Sequence, residues 1–253
     1  MRANEAIVEV RDLVYTIAGR PILDGLSFSI PRGSCFGVMG MSGTGKSTLL
    51  KNLMGLVRPT AGDIIIDGVS IVGLSERELT AVRRKMGMCF QYAALFDSMT
   101  VEENVAFGLR RHTTLSEEEI RAEVAAALKR VGMAGTEALY PAQLSGGMRK
   151  RVGIARALVL KPEIMLYDEP SAGLDPITTA VLDRYIASLS REGGMTSVIV
   201  THEVEELFAL CDLVMMIHEG RLVALDTPEA LRQSDNPLVR QFVDGLAEGP
   251  IAV

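Results

Sequence analysis

No stretch of this chain approaches the ~18 uncharged apolar residues of a membrane-spanning helix, although 48% of its 253 residues are hydrophobic. The apolar excess therefore belongs to a core and to interfaces. Cysteine is scarce: Cys35, Cys89 and Cys211 each lie in an apolar run, and none forms a C-x-x-C pair. That excludes a zinc or disulfide framework and points to reduced, buried thiols in a cytosol. Basic charge is in deficit, with 26 Lys and Arg against 32 Asp and Glu, and a net charge of −6 argues against a dedicated nucleic-acid binder. No apolar h-region follows Met1-Arg2-Ala3-Asn4-Glu5, so the start of the chain does not read as a secretion signal. Internal repeats and low-complexity segments are missing as well. The length suits one large α/β domain with room for a subdomain, so a machine with two such units has to be assembled from two chains.

What is present begins with Gly40-Met41-Ser42-Gly43-Thr44-Gly45-Lys46-Ser47, with Thr48 adjoining, a fit to G-x-x-x-x-G-K-[S/T]. In such a loop the backbone N–H groups wrap a nucleotide's phosphates, Lys46 reaches the β/γ oxygens, and Ser47 offers its hydroxyl to Mg²⁺. Gly40, Gly43 and Gly45 permit backbone angles that a side chain would penalise, and a helix opening at about Ser47 adds its positive dipole end. The apolar run Ser34-Cys35-Phe36-Gly37-Val38-Met39 supplies the buried strand that should feed the loop. Taken alone, the motif leaves kinase, GTPase and ATPase open.

Two further segments narrow the choice. Leu144-Ser145-Gly146-Gly147-Met148 precedes a helical run through Arg149-Lys150-Arg151 and beyond. Ile164-Met165-Leu166-Tyr167-Asp168-Glu169 is an apolar strand ending in two carboxylates. On such a strand the first carboxylate, Asp168, can hold Mg²⁺ through its water shell, and the second, Glu169, can orient or deprotonate an attacking water.

With these motifs in this order the chain resembles the ATPase subunit of ABC transporters over essentially its whole length. The resemblance implies ATP and Mg²⁺ as ligands and an α/β P-loop fold with a mostly parallel central sheet, an antiparallel β edge and an inserted α-helical signature subdomain. By the same resemblance Gln91 in Cys89-Phe90-Gln91 is the Q-loop glutamine, a catalytic and metal-side residue, Ser145, Gly146 and Gly147 are the ABC signature, and Ser171-Ala172-Gly173-Leu174-Asp175 is the D-loop. His202, after the apolar strand Ser197-Val198-Ile199-Val200, is the switch histidine, a role suited to a side chain with two distinct ring nitrogens. Two readings of Tyr15 stand: a ring stacked on adenine, as the family has it, or a core aromatic in an alternating run. Two also stand for Tyr92-Ala93-Ala94-Leu95-Phe96: a contact surface toward the membrane subunit, or local core under the loop.

The core is expected at residues 6–91 and 160–230, the helical part at 92–159, and a tail at 231–253. Ser75-x-x-Glu78 and Ser116-x-x-Glu119 read as capping boxes, stapled by Leu74 with Leu79 and Leu115 with Ile120. Ile120, Val124, Leu128 and Val131 then share one helix face. Strands separated by helices imply a mostly parallel sheet with the nucleotide at its carboxyl ends, and His218-Glu219-Gly220 reads as a hairpin turn at the sheet edge. If the signature helix cannot fold back onto its own phosphate loop, its N-terminal amides can only cap a γ-phosphate held by another copy. A homodimer with two composite ATP sites follows.

Within the family the chain looks closest to the ATPases of Mla/Mce-type bacterial phospholipid transporters. The residues behind this are Met148 in the signature, Asp175-Pro176-Ile177-Thr178-Thr179, residues 91–96, and the tail Asn236-Pro237-Leu238-Val239-Arg240-Gln241-Phe242-Val243-Asp244-Gly245. The resemblance implies a peripheral protein on the cytoplasmic face of the bacterial inner membrane, beneath a polytopic permease, with an MCE-domain lipid-binding protein and a small STAS-domain subunit. No nucleic-acid partner is expected, on the net charge of −6. An ABC ATPase for another solute or for lipoproteins shares every catalytic residue, and a soluble ABC ATPase such as a cluster-assembly factor is the alternative of a different class.

Overall fold

Four short, mostly apolar segments lie buried along their whole length, as strands of a parallel sheet covered on both faces must be. The structure, a computed structural model, describes residues 5–251; the first four residues, on which the reading of the chain start rests, and the last two of the tail lie outside the described residues. Chain order runs β1 (Ala6–Ile17), β2 (Arg20–Pro31), β3 (Cys35–Met39), α1 (Lys46–Leu53), β4 (Ala61–Ile66), β5 (Val69–Ser70), α2 (Glu76–Arg83) and β6 (Met86–Cys89). Helices then take over in α3 (Val101–His112), α4 (Glu117–Arg130) and α5 (Gly146–Leu158). The last part comprises β7 (Ile164–Asp168), α6 (Pro176–Gly193), β8 (Thr196–Val200), α7 (Val204–Leu210), β9 (Leu213–His218), β10 (Arg221–Asp226), α8 (Pro228–Arg232) and α9 (Pro237–Asp244).

The six-stranded sheet has the order β10-β9-β3-β8-β7-β6, and only β10 is antiparallel. The expected edge hairpin is there, turning at Glu219 and Gly220. The antiparallel part extends further: β2, β1, β4 and β5 form a separate antiparallel sheet. Their alternating pattern specifies strands but not which sheet they join, because partners are set by non-local pairing.

Side-chain alternation along the central strands divides them between two cores. Met39, Met165, Tyr167, Ile199, Val214 and Met216 point to the core shared with α3, α4, α5 and α6. Phe36, Val38, Leu166, Val198, Met215 and Ile217 point the other way, to the core shared with the antiparallel sheet and α1. Each fully buried aliphatic side chain contributes about 1.5–3 kcal/mol, so both faces anchor the strands.

Both predicted capping boxes form, at Ser75 and at Ser116, and a third occurs at Thr100. Leu74 packs at the core margin with Leu79, whereas Leu115 stays exposed and makes a weaker staple. Ile120, Val124, Leu128 and Val131 are buried, as their spacing predicts. The tail folds back on its own chain: Gln241 Nε2 donates to the Ile251 carbonyl at 3.1 Å, and the Ile251 amide donates to Gln241 Oε1 at 2.7 Å.

Candidate active site

The parallel order β3-β8-β7-β6 brings four motif segments to one edge, because each leaves the carboxyl end of its strand. Gly40 follows β3, Thr201 and His202 follow β8, Asp168 and Glu169 end β7, and Gln91 follows β6.

The phosphate loop owes its shape to two glycines in particular. Gly40 has φ 154° and a Cβ there would lie 2.4 Å from the Ile217 carbonyl oxygen; Gly45 has φ 100° and its Cβ would lie 2.8 Å from Leu23 and 2.9 Å from the Ile22 oxygen. Gly43 has space around it, and its φ of 83° is the reason for glycine there. Gly45 is the N-cap of α1, so the helix opens one residue earlier than predicted, at Lys46, and directs its first-turn amides into the loop. This cradle fits a polyphosphate. Ser42 and Gly43 are exposed, Thr44 Oγ1 donates to the Met41 carbonyl at 2.8 Å, and Thr48 is half-buried on α1.

Lys46 is buried, and its Nζ donates to the carbonyls of Gly40 at 2.7 Å and Met41 at 3.0 Å, with Glu169 Oε1 at 3.9 Å. Burial lowers its pKa, against the opposing pull of Glu169 and Asp168. Ser47 Oγ donates to Asp168 Oδ1 at 2.7 Å. Burial raises the pKa of Asp168, and a cation here would favour the charged form. A hydroxyl beside a carboxylate is a hard-oxygen donor set, which fits Mg²⁺ that keeps most of its waters and its phosphate ligands. No group of three or more His, Cys, Asp or Glu able to hold a metal occurs among the described residues. Gln91 makes no side-chain hydrogen bond to Ser47 or Asp168; it lines a cavity of about 270 Å³ with Gly146, Lys150 and Leu174.

Glu169 has φ 46°, a left-handed conformation that costs a residue with a Cβ of the order of 1–3 kcal/mol. It is held there from both sides. Its amide donates to the Val200 carbonyl at 2.8 Å, and its own carbonyl accepts from Lys150 Nζ at 3.2 Å. Thr201 Oγ1 donates to Glu169 Oε2 at 3.0 Å, and His202 Nδ1 lies 3.0 Å from the same oxygen. The backbone thus aims the carboxylate at the cluster formed by Lys46 and His202.

The signature segment sits apart from this cluster. Ser145 caps α5, accepting from the Met148 amide at 3.2 Å, and Ser145 and Gly146 are exposed. Gly147 is required by contact: a Cβ would lie 2.3 Å from Thr178 Cγ2. No residue of the phosphate loop lines the cavity beside α5. Asp175 serves as N-cap of α6, accepting from the amides of Ile177 and Thr178 at 3.0 Å each. Tyr15 is half-buried at the margin of the second core and pairs with Leu23 across β1 and β2, leaving one side toward solvent. The apolar loop divides: Ala93 is buried, whereas Tyr92 is 85% exposed and Phe96, 42% exposed, packs on Phe107 with centroids 5.0 Å apart and ring planes tilted by 47°.

Sequence reasoning missed Lys150. It is buried, and its Nζ donates to the carbonyls of Glu169 and, at 2.6 Å, Ala172, tying the signature helix to the strained turn. Its signal was its spacing: three residues after Gly147 and four before Ile154, it lies on the buried face of α5. A lysine on that face needs an acceptor.

Comparison with known proteins gives consistent relatives. A family profile described as ABC transporter matches residues 23–172. The intermembrane phospholipid transport system ATP-binding protein MlaF of Escherichia coli K12 is 41% identical over 245 residues, 97% of this chain and 91% of that protein. The probable ribonucleotide transport ATP-binding protein mkl of Mycobacterium leprae is 44% identical over 246 residues, 97% of this chain and 71% of that protein. Among solved structures, a dimeric post-hydrolysis state of the ATP-binding cassette MJ0796 bound to ADP and Pi superposes with TM-score 0.81 at 31% identity, covering 87% of this chain and 98% of that one.

Proposed function

The chain belongs to the ABC transporter family of ATP-binding proteins, and from that membership we propose that it powers phospholipid trafficking between the inner and outer membranes of a bacterium. It binds and hydrolyses ATP. The observation that carries the cargo is the 41% identity to MlaF along 97% of the chain.

In the proposed cycle, the amides from Gly40 to Ser47 cradle the phosphates and Lys46 neutralises their charge. Ser47, Asp168 and Gln91 would hold Mg²⁺, and the ion would supply positive charge to the phosphate oxygens. Glu169 aims and deprotonates the water, and His202 supports the developing phosphate charge through the nitrogen not engaged with Glu169. Tyr15 stacks on the base. Ser145, Gly146 and Gly147 complete the site of a second copy, and Asp175 lies at that junction. The dimeric cassette MJ0796 supports such pairing.

No helix among the described residues is long and apolar enough to cross a membrane, so membrane attachment goes through partners. The proposed assembly sets the homodimer beneath a polytopic permease at the cytoplasmic face, with Tyr92 and Phe96 toward it, and adds an MCE-domain protein and a STAS-domain subunit. The test is transport by the purified complex in proteoliposomes, with labelled phospholipid and labelled ribonucleotide offered in turn. ATP-dependent movement of phospholipid alone supports the reading; movement of ribonucleotide alone replaces it with the one that mkl suggests.

Lys150 is a positioning residue in this scheme. Replacing it with Met removes a charged donor from two carbonyls, and we expect kcat to fall roughly tenfold, with KM for ATP within about twofold of the parent. Steady-state ATPase kinetics check the split; a purely structural lysine would leave both constants unchanged in the folded fraction.

A further inference from the structure

Two carboxyl groups that the ATPase chemistry does not use meet between α6 and α7. Glu206 on α7 is 7% exposed, and Asp183 on α6 is half-buried beside it. Glu206 Oε1 and Asp183 Oδ1 are both sealed from solvent, and neither has a donor. Two buried, orphaned oxygens each carry a penalty on the order of 1–3 kcal/mol. The penalty disappears for both at once if a single proton lies between them, since a protonated carboxyl donates where a carboxylate accepts. The two side chains face each other within hydrogen-bonding reach.

The other oxygen of Glu206 is already engaged. Ser171 Oγ donates to Glu206 Oε2 at 2.5 Å, so the pair is connected to the loop that leaves Glu169. The same groups line a cavity of about 530 Å³ together with Leu174 and His202. Asp183 belongs to the helix that follows Asp175, and Glu206 to the helix that follows His202.

We infer that Asp183 and Glu206 share one proton across the α6–α7 contact, and that this acid–carboxylate pair is a positioning element that holds the Ser171 loop and the His202 segment in register. The charged surroundings favour retention of the proton. Glu169 and Asp183 act on Glu206 as like charges. Lys150 from α5 is the nearby cation, and its Nζ is committed to two carbonyls. Cys211 at the end of α7 is the buried thiol near Glu206, and its Sγ lies 3.6 Å from that of Cys35 on β3. On the solvent side Arg232 of α8 pairs with Glu205 rather than Glu206.

Burial raises both carboxyls, to about 6 at Asp183 and about 7 at Glu206. A carboxyl whose folded value exceeds its unfolded one stabilises the fold fully below the unfolded value, and that contribution is lost as pH rises through the folded one. The contact should therefore loosen as pH rises through about 7, where the second negative charge appears.

Thermal unfolding of the full-length chain without nucleotide, followed from about pH 6 to about pH 8.5, tests the pair. Relative to Glu206→Gln, whose amide supplies the donor permanently, the parent should lose at least about 3 °C more in Tm across that range. Parallel curves would overturn the proposal. Infrared difference spectra between parent and variant at pH 7 should contain a protonated-carboxyl band from the parent; its absence would overturn the proposal as well. Neither measurement needs turnover, so an inactive ATPase and an absent pair are separate results. If Glu206→Gln does not fold, Asp183→Asn at the half-exposed partner takes its place in both. In steady-state hydrolysis, which alone rests on the ATPase reading, kcat of the parent should decline on the alkaline side while that of Glu206→Gln stays flat, with KM for ATP within about twofold. Identical pH profiles would remove the positioning role.

Discussion

Glu169→Gln should retain ATP binding and lose turnover by roughly 10²–10⁴, the range for removal of a general base. The expectation rests on how little else the substitution changes. Gln has the shape of Glu, keeps an oxygen for the Thr201 hydroxyl that donates at 3.0 Å, and leaves the strained backbone and its two anchors in place. Only the basic charge near Lys46 and His202 is lost. ATP affinity and single-turnover hydrolysis, measured at matched protein concentration, separate binding from chemistry. Near-normal hydrolysis would remove Glu169 from the role of base.

Ser145→Arg is expected to abolish ATP-dependent dimerisation while the monomer still binds ATP. Ser145 caps α5 with its side chain, leaving the amides of Gly146 and Gly147 at the exposed helix start free for an external acceptor. An arginine there fills the space that a partner's phosphates would occupy. It also removes a cap, an effect of about 1 kcal/mol, too small to unfold a domain of this size. Light scattering with and without ATP in a hydrolysis-deficient background reads the result directly. A persistent ATP-dependent dimer would contradict the composite site, and loss of ATP binding would place Ser145 in the chain's own site.

The parts of this site that can be read from sequence are those whose chemistry is local. The glycines around Lys46 and the carboxylates ending an apolar strand announce themselves because neighbouring residues must cooperate within one turn. The capping boxes at Ser75 and Ser116 are legible for the same reason. What escapes are relations between distant segments. The strand character of β1 and β2 was visible, yet their departure into a second sheet depends on pairing with β4, which no local pattern encodes. Lys150 reads from sequence only as part of a basic run in the signature helix; its partners, the carbonyls of Glu169 and Ala172, belong to a distant segment. The left-handed backbone of Glu169 and the facing carboxyls of Asp183 and Glu206 likewise follow from tertiary placement.

The order of the central sheet has a mechanical consequence. β3, β8 and β7 each have a bonded neighbour on both sides, so the segments that grip phosphate and carry Glu169 and His202 are clamped against lateral movement. β6 is bonded on one side only, to β7, and Gln91 leaves its end toward the exposed Tyr92 and Phe96. Displacing an edge strand disturbs one ladder instead of two. The sheet is therefore held by two ladders beneath the phosphate loop, Glu169 and His202, and by one ladder at the β6 edge, from which Gln91 leads to the exposed Tyr92 and Phe96.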